Sequence, residues 1–229
     1  MSLCDNCFVN QRCAKYKRGD VVEGVFCLKQ FKLSSLYDEA FITDKQRKHV
    51  NLRIDNDGTD REQFLYLTSV ETNIESFVSE GNNLYIYSTT CGNGKTSWAL
   101  RLCQAYLNKI WLKSQVTCKV LFINVPKFFL MLKDNISNQN DYIMHIKKNV
   151  VDCDLVVWDD IGTKVGTEFE IENLLNIINN RIDNGKTNIY TSNITPDQLR
   201  QRVGERLYSR IINLSQNVEL RGSDKRGLL

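Results

Sequence analysis

Apolar positions along the chain follow two rhythms, and their order predicts the architecture. Residues 84–87, 119–125, 154–158, 187–193 and 217–221 read as short strands bounded by polar or small residues. Between and before them, apolar residues recur at three- and four-residue steps. Phe64, Leu67, Val70, Ile74 and Phe77 mark one amphipathic helix over residues 61–80. Further helical patterns cover residues 95–113, 128–133 after Pro126, 142–150 and 204–212. The helix over residues 167–183 turns Phe169, Ile171, Leu174, Leu175, Ile177, Ile178 and Ile182 inward, and Asn184-Gly185 caps it. Thr195-Pro196 supplies an N-cap hydroxyl and a first-turn proline for another short helix. Five strands in alternation with helices predict an α/β fold on a parallel sheet.

Polar residues break this rhythm at the strand ends. The first strand runs into Ser88-Thr89-Thr90-Cys91-Gly92-Asn93-Gly94-Lys95-Thr96-Ser97, and a helical pattern opens at once. Strand, small-residue loop, Gly-Lys-Thr and helix form a phosphate-binding loop. Gly92 and Gly94 let backbone N–H groups curl around phosphate oxygens, and the helix N-terminus adds positive potential. Lys95 reaches β/γ-phosphates and the Thr96 hydroxyl joins a Mg²⁺ shell. The candidate nucleotide contacts are therefore Cys91, Gly92, Asn93, Gly94, Lys95, Thr96 and Ser97. Thr89 stands where the full motif has glycine, which predicts a tighter or reshaped loop.

The third strand, Leu155-Val156-Val157-Trp158, ends in the carboxylates of Asp159 and Asp160. An apolar strand closing on paired acids is the Walker B arrangement. Asp159 would hold Mg²⁺ and Asp160 would polarise an attacking water. Asn193 ends the fourth strand at the same edge of the sheet.

Composition narrows the setting. A chain of 229 residues, 42% hydrophobic and 25% charged, is long enough for one substantial core and a small appendage. The net charge of +3 permits nucleic-acid contact without demanding it. No basic and apolar leader and no bilayer-length apolar run is present, so a cytoplasmic protein is expected. Eight cysteines in a reducing compartment point to metal or packing rather than disulfides. Cys91, Cys103, Cys118 and Cys153 are scattered and read as small apolar filler. Cys4, Cys7, Cys13 and Cys27 cluster, and the Cys4-x2-Cys7 pair has the spacing with which two thiolates grip one tetrahedral ion. This predicts a Cys4 zinc-binding module, with an iron–sulfur cluster or free thiols as the alternatives. Residues 1–53 are assigned to that module and a linker, whose Phe31, Leu33, Leu36, Tyr37 and Phe41 dock on a neighbouring surface.

With these motifs in place, residues 60–229 resemble the AAA+ helicase-loader family of bacterial DnaC and DnaI and their phage counterparts, with IstB-type transposition ATPases as cousins. Gly-Asn-Gly-Lys-Thr, Trp-Asp-Asp-Ile-Gly, Thr-Ser-Asn and Gly-Glu-Arg-Leu-Tyr-Ser-Arg-Ile carry the resemblance, together with the lack of sequence for a helical lid after the fifth strand. It implies a P-loop AAA+ domain over residues 54–229, with a five-stranded parallel sheet flanked by helices and no C-terminal lid domain. It also implies ATP and Mg²⁺, with Asn193 orienting water and Arg210 reaching a neighbouring subunit's γ-phosphate. Arg206 is a second candidate for that finger, and Arg226 fits a C-terminal sensor arginine. The partners implied are a replicative DNA helicase, single-stranded DNA along residues 135–148, and further copies of the chain. A duplex-binding transposition helper and a nucleotide-gated adaptor without catalysis are the rival readings.

Overall fold

The structure, a computed structural model, describes residues 7, 13, 18–19, 27–48, 52–54, 58–137 and 140–225. Five parallel strands form one sheet: β1 (Leu84–Tyr87), β2 (Val120–Asn124), β3 (Leu155–Asp159), β4 (Thr187–Ser192) and β5 (Gln216–Glu219). Their spatial order is β2-β3-β4-β1-β5. From β1 the chain crosses to the far edge, returns through β3 and β4, and passes β1 again to reach β5. The C-terminal ends of β1, β3 and β4 therefore open on one crevice, where ligands of open parallel sheets bind.

Side-chain alternation sorts the core into two halves. Leu84, Ile86, Phe122, Leu155 and Val157 face one side of the sheet; Tyr85, Leu121, Ile123, Val156 and Trp158 face the other. Helices cover both faces, which is why the strands read as continuous apolar runs. The first side takes α1 (Leu28–Glu39), α3 (Arg61–Thr72), α4 (Ile74–Ser79) and α5 (Lys95–Ile110). The second takes α6 (Val125–Ser137), α7 (Asp141–Asn149), α8 (Glu168–Asp183) and α9 (Pro196–Ile212). Each fully buried aliphatic or aromatic side chain contributes about 1.5–3 kcal/mol. Among the described residues, no helix is long and apolar enough to cross a membrane.

The segment expected to dock on a neighbouring surface packs on this core. Leu33, Leu36, Tyr37, Ala40 and Ile42 are buried in the first half, and the Phe122 N–H donates to the Ala40 carbonyl at 2.9 Å. The end of α1 thus covers part of the exposed edge of β2. The short α2 (Asp44–Arg47) follows, and its Arg47 turns back to pair with Asp38. Phe31 departs from the expectation, being more than half exposed.

Three helical expectations change. The pattern over residues 61–80 is two helices, because Asn73 leaves helical geometry (φ −103°, ψ 26°) between α3 and α4. Phe169 faces outward while Glu170 is buried, because a capping box ties the Glu170 carboxylate to the N–H and hydroxyl of Thr167 (2.7 and 3.0 Å). The short helix after Thr195 and the one after Gly204 run together as α9, broken at Gly204 (φ +78°, ψ 162°). That backbone region is open essentially to glycine alone.

Candidate functional site

The loop after β1 is held by its own side chains. Ser88 Oγ accepts the Thr90 N–H at 3.0 Å and Asn93 Nδ2 at 2.6 Å, and Asn93 Nδ2 also donates to the Leu220 carbonyl at 3.0 Å. Lys95 is buried, its Nζ donating to the Thr90 carbonyl at 2.8 Å and to Asn93 Oδ1 at 3.1 Å. Gly92 and Gly94 adopt φ +77° and +106°, which turns the chain into α5 at Lys95. A Cβ on Gly92 would fall 1.8 Å from Asp224 Oδ1 and displace that exposed side chain, but it is the positive φ that calls for glycine there. Thr89 needs no such freedom: among the described non-glycine residues, only Phe41, Asp60 and Asp160 have positive φ. Cys91 is exposed on the loop and Ser97 lies in the first turn of α5.

A second strand-end group faces this loop. Asp159 Oδ1 accepts from Thr96 Oγ1 at 2.9 Å and from Thr191 Oγ1 at 2.7 Å. Thr191 Oγ1 in turn accepts the Asp160 N–H at 3.0 Å. The Asp160 carboxylate is bracketed by two amides, Asn193 Nδ2 at 2.9 Å and Asn124 Nδ2 at 3.4 Å. Thr96, Asp159, Asp160 and Asn193 thus converge, as the strand-end pattern predicts. Thr191 and Asn124 were not among the expected residues. Asn124 ends β2 directly opposite Asp159, so the same strand-end reasoning, applied to β2, points to it.

The electrostatics suit a cation. Burial pushes the Asp159 carboxyl above the usual range and the neighbouring Asp160 adds to this, while hydrogen bonds from Thr191, Thr96 and Asn124 offset part of it. A carboxyl raised in the fold weakens the native state as pH climbs through the folded value, and the penalty is complete at neutral pH. Asp159→Asn is therefore expected to raise the thermal midpoint of the nucleotide-free protein by about 2–4 °C, the shift that ~1 kcal/mol gives at this size. Differential scanning calorimetry at pH 7 and pH 4 checks this, the gain shrinking at the lower pH, since the penalty is fully absent only below the unfolded carboxyl's ordinary value.

The C-terminal segment crosses the loop. The Leu220 N–H donates to the Tyr87 carbonyl at 2.8 Å, and the Lys225 N–H to the Gly92 carbonyl at 3.1 Å. Asp60 clamps the crossing, its two oxygens each accepting a backbone N–H, of Arg221 and Gly222, at 2.7 Å. Leu52, Ile54, Phe64, Trp98 and Leu220 line a small cleft beside it. Sequence reasoning missed Asp60, because a carboxylate that holds distant backbone leaves no local signal. Arg226 lies outside the described residues.

The remaining expected residues stand apart. Arg206 and Arg210 are exposed on the part of α9 after Gly204, and no described hydrogen bond or ion pair joins them to the strand-end cluster. Three of the four clustered cysteines lie among the described residues. Cys7 is buried in the first core half, Cys13 is partly covered and Cys27 is exposed ahead of α1. Among the described residues, no three His, Cys, Asp or Glu side chains come together as a metal site; Cys4, the fourth thiol of the expected module, lies outside them.

A P-loop closed against a strand-end acid pair on a 2-3-4-1-5 parallel sheet agrees with a family comparison, in which the bacterial DnaA ATPase domain matches residues 63–215. The chain belongs to that family. The replicative helicase loader DnaC of Escherichia coli K12 is 24% identical over 162 residues, 70% of this chain. This chain spans 61% of the length of that curated relative. The crystal structure of the DnaC helicase loader shares the fold at a TM-score of 0.60 and 20% identity, covering 78% of this chain and 100% of that one. The replication initiator DnaA, bound to AMPPCP and single-stranded DNA, aligns at a TM-score of 0.59 and 22% identity over 81% of this chain and 52% of its own. The resemblance to AAA+ helicase loaders drawn from the motifs stands. The P-loop of this DnaA-type domain carries the residue types that nucleotide and Mg²⁺ require.

Proposed function

We propose that this chain is an ATP-dependent loader of a replicative DNA helicase. The observation that carries the reading is the hydrogen-bonded cluster of Thr96, Asp159, Thr191, Asp160, Asn193 and Asn124 at the mouth of the P-loop. The donor set fits Mg²⁺, since a hydroxyl and a buried carboxylate already meet at 2.9 Å. Mg²⁺ held by Thr96 and Asp159 would neutralise charge on the β/γ-phosphates. Lys95 leaves its loop carbonyl to pair with phosphate oxygens. Asp160 takes the proton of the attacking water, while Asn193 and Asn124 fix its carboxylate.

Arg210 supplies positive charge to the next copy's site, so turnover depends on assembly. Its exposure on α9 supports this role. Single-stranded DNA meets the basic end of α7, where Lys147 and Lys148 are exposed. The DnaA structure bound to single-stranded DNA supports this partner, and the DnaC relative supports the helicase.

ATP turnover of wild type and Arg210→Ala, with and without single-stranded DNA, tests the reading. The expected result is DNA-stimulated turnover in wild type that drops to the unstimulated level in the variant. Nucleotide binding by the variant is retained. Tight ATP binding without turnover in every condition overturns the enzyme reading in favour of a nucleotide-gated adaptor.

A further inference from the structure

At the edge of the sheet opposite the nucleotide site, two cysteines that the proposed chemistry does not use face one another. β2 and β3 run parallel with Val120 opposite Leu155. Just ahead of the strands, Cys118 Sγ lies 3.4 Å from the Val120 carbonyl and Cys153 Sγ 3.8 Å from the Leu155 carbonyl. The paired backbones of Val120 and Leu155, about 5 Å apart as neighbouring strands are, thus bring the two sulfurs to adjacent places.

The side chains complete the pair. Both are free thiols, and Cys118 Sγ also reaches the Glu39 carbonyl at 3.7 Å and Cys153 Sγ the Val150 carbonyl at 3.8 Å. Cys153 is buried, with Arg181 Nη1 3.5 Å from its Sγ. Interaction with the Cys118 thiol, aided by the guanidinium, holds Cys153 below the ordinary thiol range against burial, and the same interaction pushes Cys118 up. Cys118 is only partly buried, so a small oxidant reaches the pair from its side. A sulfur stabilised as thiolate beside a cation, next to a second thiol, is the arrangement of a dithiol poised to oxidise.

We propose that Cys118 and Cys153 form a redox-active dithiol that closes to a disulfide on meeting a peroxide. The Cys153 thiolate attacks one peroxide oxygen. The O–O bond breaks, and the departing hydroxide takes the Cys118 proton to leave as water. Cys153 is then a sulfenic acid. The Cys118 thiolate attacks its sulfur, the S–S bond forms, the S–O bond breaks, and the released hydroxide takes a proton from solvent to become a second water. The two sulfurs lose two electrons and the peroxide gains them. The bridge staples the base of the β2–α6–α7–β3 unit and leaves the nucleotide edge untouched.

The test treats the full chain with hydrogen peroxide, quenches with an alkylating agent and maps peptides by mass spectrometry. The expected result is a linked Cys118–Cys153 peptide pair, an intact mass lower by about 2 Da, and reversal by dithiothreitol. Cys118→Ser, at the partly exposed position, is expected to abolish the link while its circular dichroism matches wild type. Cys91→Ser leaves the link in place and controls for the exposed thiol. Oxidation confined to Cys91, a gain of about 16 Da at Cys118 with no bridge, or a bridge that appears only in denaturant would each overturn the proposal. The wild-type map reads the outcome even if a variant folds poorly.

Discussion

Arg181→Ala is expected to lower the stability of the folded chain by about 3–5 kcal/mol, the range for breaking a buried charged network. Arg181 is fully buried on α8 and ties three other segments together. Its Nε donates to Asn188 Oδ1 at 2.8 Å, its Nη1 to the Val150 and Cys153 carbonyls at 2.5 and 2.9 Å, and its Nη2 to the Thr187 carbonyl at 2.6 Å. These acceptors lie after α7, before β3 and at the start of β4. Asn188 Oδ1 also accepts Trp158 Nε1 at 3.1 Å, which links the network to the largest buried side chain. Burial pulls the guanidinium below its ordinary range, opposed by Cys153, and the fold accepts that cost because the donors are matched by acceptors. Truncation strips those acceptors of their guanidinium donors and opens a cavity, two losses of about 1–3 kcal/mol and more that compound. Urea unfolding of wild type, Arg181→Ala and Arg181→Lys measures this. Lysine brings one point of donation to a site built for a fork, so it is expected to recover less than half of the loss. A loss under about 1 kcal/mol, at unchanged denaturant slope, would show that the network relaxes around the gap.

Arg181 also marks where a sequence stops being readable. The strands were legible because both faces of the sheet are covered, which makes β1 apolar throughout and β2 and β3 apolar up to their last residue. Asp159, Asp160 and Asn193 were legible because each sits where a strand gives way to polar residues, and such ends share one edge in a parallel sheet; Lys95 was legible from the glycine loop that precedes its helix. Asn124 and Thr191 follow the same logic, yet they matter only once β2-β3-β4 adjacency is known. Periodicity does not encode strand order. The break at Asn73 has no proline or glycine to announce it, and the exchange of Phe169 for Glu170 reflects a capping box overriding an apolar stripe. Asp60 and Arg181 act on backbone groups far along the chain, and their roles exist only in the folded structure.

Asp160→Asn is expected to cut ATP turnover by about 10²–10⁴-fold, the worth of a positioned general base, while nucleotide binding stays within a few-fold of wild type. The substitution is chosen for its backbone. Asp160 sits at φ +60°, a left-handed position that asparagine tolerates and alanine resists, so the carboxamide tests chemistry rather than folding. Its oxygen still accepts Asn193 Nδ2, now 2.9 Å from Asp160 Oδ1, but it takes no proton from water. Single-turnover hydrolysis and equilibrium nucleotide binding, measured side by side, separate these effects. Wild-type turnover in the variant would place the base elsewhere. A second readout guards against a merely damaged site. The Asp160 charge is one of the causes that raise the Asp159 carboxyl. Removing that charge lets Asp159 stay ionised to lower pH, so Mg²⁺-dependent nucleotide binding should persist further into the acid range in Asp160→Asn than in wild type. A variant that loses turnover and gains acid-resistant binding identifies Asp160 as the base and Asp159 as the cation ligand, two roles for neighbouring acids set apart by what surrounds each.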